Sequence, residues 1–195
     1  MELQAGPLLT AALAIFLFAA LCAAVALVVI SMRRPTPLPL AVAAGLVIAA
    51  TLVVAITGAN IPPLMGLILG ALALAAAVIG GNPMTRLVLD SAAGGRVRET
   101  ADGGIVVRGS DDDHTDAPTT LLRGGATIGY LERTAVTLAI IAGFPEAVAI
   151  VVAVKGIGRF PELREPEARE RFIIGTLTSL IWACVVGALV RLAIW

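Results

Sequence analysis

Thr134-Ala135-Val136-Thr137-Leu138-Ala139-Ile140-Ile141-Ala142-Gly143-Phe144-Pro145-Glu146-Ala147-Val148-Ala149-Ile150-Val151-Val152-Ala153-Val154 is the stretch on which the fold turns. A bilayer core of about 30 Å takes roughly 20 helical residues at about 1.5 Å each. By length and apolarity the stretch is a membrane span. Its midpoint is broken, because Gly143 is conformationally loose and Pro145 lacks a backbone donor. Two geometries satisfy that break: a kinked helix that crosses, or a re-entrant hairpin that dips in and returns. The kinked crossing is the expected form, since proline kinks are common in crossing helices and re-entrant segments are rare.

Outward from this segment, four more apolar runs appear: Leu8–Met32, Leu38–Thr57, Leu64–Gly80 and Phe172–Val190. Across all five, Glu146 is the only charged side chain. The chain is 58% hydrophobic and 14% charged, against roughly 45–50% and about 25% for soluble domains. That segregation excludes an ordinary soluble globule, a disordered chain and a nucleic-acid binder built on a basic patch. The runs are continuously apolar, which indicates helices and not a barrel. The expected fold is an all-α integral membrane protein of about five hydrophobic helices, the fourth interrupted at Gly143–Pro145. The first run is not expected to be a cleaved signal, because Met1–Gln4 carries no Lys or Arg and the run is too long. Cys22 and Cys184 both lie inside apolar runs and read as small packing residues, not as a disulfide.

Loop charges set the orientation. Arg33 and Arg34 follow the first run, no basic residue follows the second, and Arg86, Arg96, Arg98, Arg108 and Arg123 follow the third. The N-terminus is therefore expected outside and residues 83–126 in the cytoplasm. If the fourth segment crosses, Lys155, Arg159, Arg164, Arg169 and Arg171 lie outside, nine basic residues against five; if it returns, the division is thirteen to one.

The organisation expected is a three-helix region over 1–82, a polar loop over 83–126 and a C-terminal membrane module over 127–195. Within the loop, Asn82-Pro83 reads as a cap and first position of a short interfacial helix ending at Gly94-Gly95. Arg96–Thr100 and Ile105–Arg108 flank Asp102-Gly103-Gly104, a hairpin pattern. Pro166 is expected to start the last helix, with Glu167 and Arg171 in the favourable i,i+4 order.

Among candidate site residues, Glu146 stands first. A carboxylate at mid-bilayer costs about 2.5–3.5 kcal/mol on insertion scales. It is either a proton or cation relay, or a carboxyl at the start of a second half-helix near the positive dipole end. The second reading is favoured, since no other intramembrane ionisable group completes a pathway. Glu132, Arg133, Lys155 and Arg159 bracket the same segment and could form a clamp for phosphate or anionic headgroups. The competing reading is interfacial anchoring with snorkelling stems. Asp111-Asp112-Asp113-His114-Thr115-Asp116 lacks the glycine turn and bidentate Glu of a calcium loop, so no metal is expected, and no cofactor either. No Ser-His, Cys-His or zinc-ligand pattern supports catalysis. Gly66 and Gly70 in the third run, and Gly175 and Ser179 in the fifth, belong to small-residue stripes that let helices approach closely. Packing within the chain is expected from them ahead of homo-oligomer formation.

Three blocks near the C-terminus also carry a resemblance. They are Ile128-Gly129-Tyr130-Leu131-Glu132-Arg133, Ala153-Val154-Lys155 through Arg159-Phe160-Pro161-Glu162-Leu163, and Ile174-Gly175-Thr176-Leu177-Thr178-Ser179. In order and spacing this last third resembles a module of uncharacterised bacterial multi-pass membrane proteins. The pattern of that module is IG-x-LER, AAK-x-x-x-RF-x-EL and IGT-x-x-S. Val154, Gly156 and Arg171 depart from it. The resemblance implies a bacterial cell-membrane location and carries no established activity, so it transfers no catalytic residue. Arg making up thirteen of the fourteen basic residues also fits a high-GC bacterial source. The functional expectation is a non-enzymatic structural or accessory component whose partners are the lipid bilayer and either a second copy of the chain or another membrane protein, with no nucleic acid. The alternatives are proton- or cation-coupled transport through Glu146, and headgroup binding or processing at the four-residue clamp.

Overall fold

The computed structural model describes residues 6–33, 36–58, 60–92, 98–99, 105–106, 125–159 and 166–195. The chain is built from α1 (Pro7–Arg33), α2 (Pro37–Thr57), α3 (Pro63–Ala92), the two-residue strands β1 (Arg98–Glu99) and β2 (Ile105–Val106), α4 (Gly125–Ala142), α5 (Ala147–Arg159) and α6 (Pro166–Ile194). Four helices, α1, α2, α3 and α6, are long and apolar enough to cross a membrane. Each buries one stripe at three- and four-residue spacing, as Leu40, Ala43, Val47, Ala50 and Val54 do in α2. Ile15, Leu52, Leu67 and Leu177, one from each of the four, remain more than half exposed. Water would penalise such a surface and lipid would not, so the fold is that of a membrane-embedded protein.

The centre of the bundle is α3 against α6. Gly66 meets Ile194, Gly70 meets Val190, Gly80 meets Trp182 and Gly175 meets Thr85, so the two helices run antiparallel. Small side chains let the backbones close, and the Trp182 indole fills the space over Gly80 while donating to the Ala76 carbonyl at 3.1 Å. Helices α1 and α2 pack on each other and flank this pair, α1 against α3 and α2 against α6. The Ile61 amide, between α2 and α3, donates to Ala193 at 2.9 Å and ties that connection to the end of α6. α2 stops at Gly58, whose φ of 57° is left-handed and whose amide reaches back to Val54.

Two expectations are corrected here. The helix expected to begin at Pro83 is the continuation of α3, which passes through Pro83 to Ala92 without ending. At about 1.5 Å per residue its 30 residues reach about 45 Å, so the polar last turns extend beyond an apolar core. The kinked crossing expected for Thr134–Val154 is also replaced. α4 runs parallel to α6, with Arg133 on Ser179, Ile140 on Gly187 and Gly143 on Arg191. α5 then folds back, because Lys155 forms an ion pair with Glu132, residues that a continuous helix would hold about 35 Å apart. The segment is an antiparallel helical hairpin.

Arg98 pairs with Val106 and Glu99 with Ile105 in antiparallel register. The turn between them, the Gly94-Gly95 helix end, the Asp111–Asp116 run and Phe160–Leu163 lie outside the described residues.

Candidate functional site

The reversal is set by local chemistry. Gly143 has φ 79°, a conformation that L side chains rarely adopt. Its amide donates to Ile140 at 3.0 Å and that of Phe144 to Ala139 at 2.8 Å. These are the two bonds of a Schellman stop, which satisfies the last carbonyls of α4. The Ala147, Val148 and Ala149 amides then donate to Phe144, Pro145 and Glu146, forming the first turn of α5, where proline is tolerated. Glu146 is exposed in that leading turn, beside the positive end of α5. This apex stands level with Arg191, in the last turn of α6. The expectation of a carboxylate at mid-depth is corrected accordingly: Glu146 sits near one end of the bundle. The Arg191 guanidinium packs against Gly143, at the carbonyl end of α4, and lies 5.1 Å from the Trp195 ring.

The most buried charged side chain among the described residues is Arg133, 2% exposed. On α4, Gly129, Arg133, Val136 and Thr137 form the buried face. Arg133 reaches into α3 and α6. Its Nε donates to the Val78 carbonyl at 3.0 Å, Nη2 to Asn82 Oδ1 at 2.9 Å and Nη1 to Ser179 Oγ at 3.0 Å. The Tyr130 ring lies 5.3 Å from the guanidinium carbon. Gly81 supplies the space: a Cβ there would lie 2.2 Å from Arg133 Cδ. Pro83 contributes through what it lacks. It cannot donate to the Ile79 carbonyl, one residue beyond the Val78 carbonyl that accepts from Arg133. Gly80-Gly81-Asn82-Pro83 is therefore a receptor for an arginine, with Gly80 turned to Trp182 and Gly81 to Arg133.

The energetics favour this arrangement. A guanidinium taken out of water is costly unless its donors are satisfied. Hydrogen bonds to charged groups are worth roughly 1.5–3 kcal/mol each, and the three that Arg133 makes offset that cost and dock α4 on α3 and α6.

The described side chains of the four-residue clamp do not come together at one point. Arg133 turns inward, Glu132 and Lys155 pair with each other while both mostly buried, and of Arg159 only the backbone is described. Gly66, Gly70 and Gly175 lie in α3–α6 contacts, and Ser179 is spent on Arg133. Cys22 and Cys184 are free thiols. Sequence reasoning missed Gly81, Asn82, Tyr130, Trp182 and Arg191. The available signal for Arg133 was its place with Gly129, Val136 and Thr137 on one helical face.

The fold and this site define an all-helical, membrane-embedded protein with an arginine-anchored hairpin. No family model, no curated relative and no solved structure matches the chain at a significant level.

Proposed function

We propose that the chain is a non-enzymatic structural or accessory component of a bacterial cell membrane, with its N-terminus outside and residues 83–126 in the cytoplasm. The observation that carries this reading is how the charges flanking the hairpin's apolar run are used. Arg133 is bonded to three groups on two neighbouring helices, and Glu132 to Lys155. These side chains hold helices together instead of facing a ligand.

The orientation is supported by the hairpin. With the chain returning after α5, thirteen basic residues fall on the side of 83–126 and Arg191 alone on the other, the bias expected of a cytoplasmic face. The bacterial assignment rests on the resemblance of the last third of the chain and on its preference for Arg over Lys.

The test is affinity purification from native membranes in mild detergent, followed by reconstitution. An accessory role predicts one membrane partner at fixed stoichiometry, and no proton or cation flux from the purified chain alone in proteoliposomes. A monomer that conducts by itself, and loses conduction in Glu146→Gln, would overturn the reading in favour of transport.

A further inference from the structure

We infer that α5 is a hinged arm, latched to a fixed α4 by the Glu132–Lys155 ion pair. The two halves of the hairpin are held very differently. α4 is fastened to α3 and α6 by Arg133, and approaches α6 so closely that a Cβ on Gly187 would lie 3.0 Å from Ile140 Cβ. α5 has no buried residue anywhere from Ala147 to Gly158. Val148 and Val151 touch the core, while Ile150, Val154 and Ile157 face outward.

In lipid this difference matters more than it would in water. Acyl chains are as apolar as the side chains they replace, so lifting α5 away loses little hydrophobic energy. The ion pair is another matter, because Lys155 and Glu132 keep only 19% and 10% of their side-chain surface exposed, and each would lose its countercharge if the arm lifted. Among the described residues the latch is thus the main specific contact holding the arm, and the Gly143–Pro145 turn is its pivot. Lys155 also has a long stem that can carry its ammonium toward the interface when the pair opens. Opening would uncover Glu132 and the α4 face beneath the arm. This inference stands apart from the accessory role and from any partner.

The experiment is spin-label distance measurement on the full chain in nanodiscs, after replacing Cys22 and Cys184 with Ala. One label pair, Ile150→Cys with Leu177→Cys, reports on the arm; a second, Leu138→Cys with Leu177→Cys, reports on α4. The unmodified latch should give one narrow distance for both pairs. Glu132→Gln and Lys155→Met should each broaden the arm distance or add a longer one, raising the open population about tenfold, and leave the α4 distance unchanged. An arm distance unaffected in both variants would overturn the latch. An α4 distance that broadens equally would also overturn it, because the pair would then be holding the whole hairpin.

Discussion

The chain contains two glycine–proline breaks that look alike in sequence and behave in opposite ways. At Gly80-Gly81-Asn82-Pro83 the helix carries on, and at Gly143-Phe144-Pro145 it stops and reverses. Both glycines lie against an arginine from another helix, Gly81 against Arg133 and Gly143 against Arg191. The backbone makes the difference. Only Gly143 adopts a positive φ, and its neighbours supply the paired bonds that close a helix end. At Pro83 the helix continues, and in the turns before it Arg133 donates to Val78 and Trp182 to Ala76. A proline in a membrane segment is thus a weak signal by itself; the groups around it determine its effect.

The comparison can be broken most forcefully at Gly81. Gly81→Ala should lower stability by about 3 kcal/mol or more, because the new methyl displaces a buried guanidinium from its acceptors. Gly70→Ala, with only Val190 at 4.0 Å, should be neutral or up to about 1 kcal/mol stabilising. Thermal unfolding in one detergent checks both; equal effects at the two glycines would show that Arg133 has no special receptor. Gly143→Ala should cost less, about 2 kcal/mol, from the left-handed backbone and the displaced Arg191 side chain. Arg191→Ala in the same background should recover part of that loss, and a failure to recover any would assign the whole cost to the backbone.

The spans themselves were legible, because an apolar run of the right length has few other readings. The direction of the fourth segment was not. A kink and a reversal call for the same residues, and the deciding contact, Lys155 with Glu132, joins positions that look independent in the sequence. Arg133 was misread for a related reason. It stands at the edge of an apolar run, where a snorkelling side chain would stand too, and its partners Asn82 and Ser179 come from distant helices. Asn82-Pro83 carries the residues of a helix start, yet in the fold the Asn side chain accepts from Arg133.

Smaller effects sharpen the picture at the α3–α6 seam. Trp182→Phe should cost about 1 kcal/mol through loss of the bond to Ala76. Thr137→Val, which removes the one buried hydroxyl without a partner among the described residues, should be neutral or stabilising by up to about 1 kcal/mol. Chemical unfolding of each variant measures both, and a marked loss at Thr137 would reveal a partner for its hydroxyl.

The reversal after α4 is tested most directly by cysteine accessibility in sealed vesicles of known orientation, on a chain whose own Cys22 and Cys184 have been replaced. Ser110→Cys, Arg164→Cys and Trp195→Cys would each be probed with a membrane-impermeant reagent. The hairpin predicts that positions 110 and 164 react from one face and position 195 from the other. Reaction of 110 together with 195, and of 164 from the opposite face, would mean that the segment crosses once and would contradict the account.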